Sequence, residues 1–299
     1  MRQFLLCILH CIFILNCYKT KATIINVYPN GTTIQHAIDN SNSGDTIIIN
    51  DGIYNESLSL NNKNLTIASK YIIDNDSSHI NLTILSGSNS FRVLKIESCS
   101  LNIIGITVKD GYFNGEGGAI YIGEYQSGPP SSVVNLDHLI IESNNSTGDA
   151  GAILCRQTSQ VNITNSIIKD NEGDRGGAIK AGEGSFLTLN NVIIKDNIAN
   201  VCGGGVAIYD RADMNIINCQ IIGNTSDGDG PGIWILGSST NKTIVNIDST
   251  EIINNICQLN YHGGGIFIHG LNPSVVGEAY ITNSIISGNS NRTGGGVYV

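Results

Sequence analysis

Val161-Asn162-Ile163-Thr164-Asn165-Ser166-Ile167-Ile168-Lys169-Asp170-Asn171, followed by a turn and Gly176-Gly177-Ala178-Ile179, is the stretch that decides the fold. Each apolar run in it is short and rich in Ile and Val, which is strand length and strand composition. The closing signature recurs as Gly117-Gly118-Ala119-Ile120, Ala150-Gly151-Ala152-Ile153, Gly203-Gly204-Gly205-Val206, Gly230-Pro231-Gly232-Ile233, Gly263-Gly264-Gly265-Ile266 and Gly294-Gly295-Gly296-Val297. The aliphatic positions lie 33, 26, 27, 27, 33 and 31 residues apart. A repeat of that length means stacked supersecondary units.

A second motif, Ile-x-x-Asn, alternates with the first at Ile141–Asn144, Ile168–Asn171, Ile194–Asn197, Ile221–Asn224, Ile252–Asn255 and Ile286–Asn289. Another Asn recurs upstream of it, at Asn165, Asn191, Asn218 and Asn283. Three short strands per repeat of as few as 26 residues, joined by Asn and Gly turns, form one rung of a right-handed parallel β-helix. Stacking turns the repeated Asn into a ladder, bonded to turn backbone and to its own copies. The glycines permit positive φ at the sharpest corner. Residues 33–40 predict one short helix, capped by Thr32 or Thr33, that covers the first coil.

The run Thr33-Ile34-Gln35-His36-Ala37-Ile38, continuing through Gly44-Asp45-Thr46-Ile47-Ile48-Ile49 and Gly52-Ile53-Tyr54, resembles the N-terminal signature of secreted β-helix proteins of the pectin-lyase-like superfamily. The alternating Gly-Gly-Ala-Ile and Ile-x-x-Asn resemble the repeats of polymorphic outer-membrane proteins, with Ile where those carry Phe. The resemblance covers nearly all of residues 23–299 and implies the fold. It leaves activity open, because this fold hosts lyases, hydrolases, adhesins and passive stalks.

Residues 1–22 read as a signal peptide: a positive start, an apolar run from Phe4 to Leu15, and cleavage after Ala22. Cys17 as a lipid-modified residue is the alternative. No later apolar run is long enough to cross a membrane. The expected location is therefore secreted or at the cell surface, extracellular or outer-membrane. The chain stops directly after a Gly-Gly strand, and more chain is expected beyond Val299. A net charge of −9 argues against nucleic acid as a partner. Cys99, Cys155, Cys202, Cys219 and Cys257 are odd in number and share no repeat position, so they read as single buried thiols.

Function is sought where the repeat breaks. Longer loops at Gly123–Ser132, Gly237–Thr243 and Gly270–Ala279 gather on one corner, where solenoids commonly build a binding face. The residue after each registered aliphatic should point outward: Tyr121, Leu154, Lys180, Ala207, Trp234, Phe267 and Tyr298. Trp234, Phe267 and Tyr298 then form an exposed aromatic strip for stacking on sugar rings. Four residues before each aliphatic runs a mixed ladder of Glu116, Asp149, Arg175, Cys202, Asp229, His262 and Thr293. Glu116 and Asp149 are candidates for paired-carboxylate glycosidase chemistry. Asp149, Asp174 and Arg175 are the nearest set for lyase chemistry, which takes a proton next to a carboxylate and in this fold often uses Ca2+. No metal site is expected otherwise, since Asp227 and Asp229 match no calcium-loop pattern.

Asn224 to Asp229 and His262-Gly263-Gly264 resemble two polygalacturonase motifs. That family's Asp-Asp and Arg-x-Lys are missing from the chain. The leading expectation is an adhesin-like or glycan-binding protein without enzymatic activity, contacting a polysaccharide or cell-surface glycan. The alternative is a polysaccharide lyase or glycoside hydrolase.

Overall fold

The repeat folds into coils of parallel strands in the computed structural model, which describes residues 21–123, 132–237, 242–259, 261–270, 277–291 and 294–299. One coil runs Gln160–Thr164, Ile167–Lys169, Glu172–Arg175 and Ile179–Ala181. Each strand pairs in parallel with its copy in the next coil. Among the described residues the stack therefore presents four sheets, of ten, nine, six and nine strands. The expected three strands per coil are corrected to four in the middle of the stack. The extra sheet runs from Tyr112–Phe113 to Ile256–Cys257. Its strands sit between Ile-x-x-Asn and the glycines, and most are only two residues long, too short to show an alternating pattern.

Inward side chains fill one continuous core. Val161, Ile163, Ile168 and Ile179 are fully buried, as are their copies in neighbouring coils. The Asn of Ile-x-x-Asn forms the expected ladder at a buried turn. Asn144, Asn171, Asn197, Asn224 and Asn255 each donate Nδ2 to Oδ1 of the next, at 2.9–3.0 Å, and the series ends at Asn289. The upstream series Asn165, Asn191, Asn218 and Asn283 has positive φ, between 48° and 57°. Asn tolerates that left-handed region better than most residues, which explains its recurrence at this corner.

The N-terminal helix spans Ile34–Asn40, and the Thr33 side chain accepts from the His36 N–H. Its buried Ile34, Ala37 and Ile38 join the core at the first coil. Glu56 accepts from the first two helical N–H groups, at 3.0 and 3.1 Å. Two further helices, Tyr71–Asp74 and Ser78–Leu82, were not expected from the sequence. Each is about one turn long, below the length at which helical periodicity shows. The five described cysteines are free and buried, as expected of single thiols. No helix among the described residues is long and apolar enough to cross a membrane.

The second of these helices is tied to the coil by charge. His79 Nδ1 lies 2.6 Å from Asp51 and Nε2 lies 3.1 Å from Asp74. The Asp51 hydrogen bond leads in raising the His79 pKa above its ordinary value, opposed by desolvation. A raised folded pKa contributes stability that is complete below the unfolded value and lost as pH rises through the folded value. Hydrogen exchange over residues 78–82 is therefore expected to accelerate as pH rises through that point, after correction for intrinsic rates. In His79→Gln this pH dependence should vanish.

Candidate functional site

The site begins at the glycine corner. After the short third strand the chain turns through Gly176, at φ 72°, where a Cβ would collide with the Ile179 carbonyl. Gly117, Gly203, Gly230, Gly263 and Gly294 share this left-handed conformation, and Ala150 adopts it at φ 59°. The turn folds the residue four before each aliphatic back toward the outward face of the Gly-Gly strands. A Cβ on Gly230 would stand 3.0 Å from that of Phe267, an outward residue one coil on. Side chains of the two ladders thus meet across the corner. Asp149 of one ladder hydrogen-bonds Lys180 of the other.

This folding corrects the expected exposure. Tyr121, Leu154, Lys180 and Ala207 leave the cylinder but are buried, at 2, 0, 3 and 0% exposure. Tyr121, Ala150 and Leu154 form a second, smaller apolar cluster outside the main core. Phe267 is 7% exposed. Its ring stacks on Tyr298 at 5.5 Å and 8°, and lies 6.2 Å from His262. Of the three aromatics expected as an open strip, Phe267 is packed away, Tyr298 is half-buried against it, and Trp234 lines a groove. Alternation along a strand sets the face of a side chain but not what covers that face.

The groove has a volume of about 740 Å3 and crosses five successive coils, passing Glu116, Asp149, Arg175, Cys202 and Asp229. At its floor stands Lys180, with a side chain 4% exposed. Glu116 Oε1 lies 3.7 Å from its Nζ, and Asp149 is its closest partner. Neither carboxylate belongs to Lys180 alone. Arg156 reaches Glu116 at 2.5 Å, and Arg175 reaches Asp149 at 3.5 Å. The Lys180 Nζ also lies 4.5 Å from the centre of the Tyr209 ring. Burial pushes the Lys180 ammonium below its ordinary pKa, partly opposed by Glu116 and Glu183. Burial likewise raises the Tyr209 phenol, partly opposed by Arg156. The two groups are therefore displaced in opposite directions, an arrangement that separates a base from an acid.

Of the residues expected to act as a lyase set, Asp149 and Arg175 are brought together and Asp174 is not. Asp174 precedes Arg175 in a strand whose pairing register shifts between Gly173 and Arg175, and it does not line the groove. Glu116 and Asp149 do converge, on cations. Lys180 stood in the outward ladder by sequence and carried the only charge there. Arg156 and Tyr209 lie three residues after their aliphatics, on the same face as the outward position. Gly182 holds that place one coil before Tyr209, and a Cβ there would stand 2.5 Å from the Tyr209 ring. This third-residue position was the missed signal. Much of the three longer loops, residues 124–131, 238–241 and 271–276, lies outside the described residues, as do Thr293 and the leader through residue 20.

Calcium does not fit this groove as it stands. Glu116 and Asp149 are held by Arg156, Lys180 and Arg175. Asp229 accepts from the His262 N–H at 2.7 Å. Among the described residues, no three His, Cys, Asp or Glu side chains converge to hold a metal.

Among solved structures, the chain is similar to an alginate lyase from Paenibacillus, at 14% identity and a TM-score of 0.47, covering 93% of this chain and 99% of that one. It is also similar to pectate lyase Pel9A, at 12% identity and a TM-score of 0.43, covering 90% of this chain and 79% of that one. No curated protein matches the chain in sequence. Residues 112–249 match the family model described as right handed beta helix region, and the stacked parallel sheets are those of a right-handed parallel β-helix.

Proposed function

We propose that the groove binds a uronate-containing polysaccharide and cleaves it by β-elimination, with Lys180 as general base. The observation that carries this reading is a lysine buried at the floor of an open groove, with Asp149, Glu116 and Tyr209 all gathered at its Nζ. Buried lysines with displaced pKa values are characteristic of functional sites. Neutral Lys180 takes the proton from the carbon next to the uronate carboxylate. The electron pair left behind forms a carbon–carbon double bond, and the bond to the glycosidic oxygen breaks. The Tyr209 phenol gives its proton to the departing oxygen, and Lys180 returns its proton to the Tyr209 phenolate through water. Arg175, with a side chain 47% exposed, faces the uronate carboxylate and offsets charge building on it. Arg156 and Arg175 hold Glu116 and Asp149, so both acids keep a cation when Lys180 is neutral.

A second reading is retention of a glycan without turnover, the adhesin-like role. Acids outnumber cations in the groove lining, with Glu116, Asp149, Asp227 and Asp229 against Arg175 and Lys180. That balance favours a neutral glycan over a polyanion. The discriminating assay offers polygalacturonate and alginate to the purified protein, with and without Ca2+, and follows the absorbance of unsaturated product. Product from either polymer supports elimination. Binding to a glycan array with no product supports retention. Export to the cell exterior, through removal of residues 1–22, accompanies either reading. It is tested by N-terminal sequencing of the mature protein.

A further inference from the structure

We propose that Trp234 forms a distal sugar subsite, two coils along the groove from Lys180, that makes recognition dependent on chain length. This inference rests on the reading of the groove as a polysaccharide site. Lys180 pairs in register with Ala207, and Ala207 pairs with Trp234. At about 4.8 Å per coil, Trp234 stands roughly 10 Å along the helix axis from Lys180. The groove follows the same axis, because its lining advances one coil at a time from Glu116 to Asp229.

The two ends of the groove differ in chemistry. Around Lys180 the walls are ionic. Toward Trp234 they add exposed apolar edges, with Leu259 60% and Tyr261 48% exposed, beside the carboxylates of Asp227 and Asp229. Such an apolar edge suits the C–H face of a sugar ring. Trp234 also has an aromatic neighbour in the next coil. It pairs in register with the buried Phe267, on which Tyr298 stacks. Asp227 and Asp229 line the same end and offer acceptors to sugar hydroxyls. One coil step is close to the length of one sugar unit. A ring over Trp234 is therefore two units from the one whose proton Lys180 removes. A disaccharide engaged at Lys180 falls short of Trp234, and a hexasaccharide reaches it.

The chain contains a single tryptophan, so its fluorescence reports this subsite alone. Oligogalacturonates and oligomannuronates of two and six sugars are titrated into the full chain and into its Lys180→Arg variant. The hexamers are expected to shift the emission in both proteins, and the dimers in neither. In steady-state assays, Trp234→Ala is expected to raise KM for the hexamer about tenfold, with a smaller effect on kcat. Equal shifts from dimer and hexamer, no shift from any hexamer, or a hexamer KM untouched by Trp234→Ala would each overturn the subsite. Hexamer-specific shifts in a protein without lyase activity would uphold the subsite and sink the elimination reading.

Discussion

Lys180→Arg is expected to lower turnover of a uronate polysaccharide by about a hundredfold to ten-thousandfold, the usual contribution of a positioned general base. Arginine keeps the positive charge between Asp149 and Glu116 but stays protonated at every accessible pH. The substitution therefore separates loss of a base from loss of an ion pair. Initial rates of product formation measure the effect, and circular dichroism checks that the coils remain. A rate within a few-fold of the parent would remove Lys180 from the mechanism.

The pH profile supplies an independent reading. A base acts when deprotonated, so the rate rises as pH rises through the folded pKa of Lys180. Desolvation places that limb below the ordinary lysine value. Tyr209 acts while protonated, and its burial places the falling limb above the ordinary tyrosine value. The expected profile is a bell, and Tyr209→Phe should lose the falling limb along with much of the rate. Lys180 also links pH to stability. Between its folded and unfolded values the unfolded chain binds more protons, so its contribution to stability rises with pH across that window.

Asn197→Ala is expected to cost about 3–5 kcal/mol. Asn197 donates to the Ile168 and Lys195 carbonyls and to Asn224 Oδ1, at 3.1, 2.9 and 2.9 Å. Its Oδ1 accepts from Asn171 N and Nδ2, at 3.0 and 2.9 Å. The residue is fully buried, so alanine leaves the Asn171 N–H without an acceptor where no water reaches. Asn197→Asp restores the acceptor but removes the donors and buries a charge. It should be more damaging at neutral pH than at acid pH, where the carboxyl is protonated. Asn162→Ala is the control. Its Nδ2 bonds Asn135 in an exposed ladder, and its loss should stay within about 0.5 kcal/mol. Urea denaturation of the variants measures all three. A buried-ladder cost no larger than the exposed one would mean that packing alone holds the turn.

The contrast between these residues shows what was legible from residue order. Asn197 and its copies recur at fixed phase, and a ladder needs nothing but repetition and parallel stacking to form. The inward Ile and Val positions follow from alternation along each strand, and the left-handed corners from Gly and Asn. The short third sheet escaped detection because pairs such as Tyr112–Phe113 and Asn145–Ser146 carry no periodicity. Lys180 was visible as an outward charge, yet the same rule wrongly placed Phe267 in the open.

By itself, then, the sequence determined the parallel β-helix, its coil length, its Asn ladder and the phase of its core. These depend on local alternation and on the identity of one coil with the next. The tertiary structure alone decided where the groove lies. Whether an outward side chain meets solvent, an aromatic ring or a carboxylate depends on how far the glycine corner folds one wall over another. That angle brings Asp149, Arg175 and Lys180 from separate turns and strands to one floor, and it leaves Trp234 two coils away along the groove.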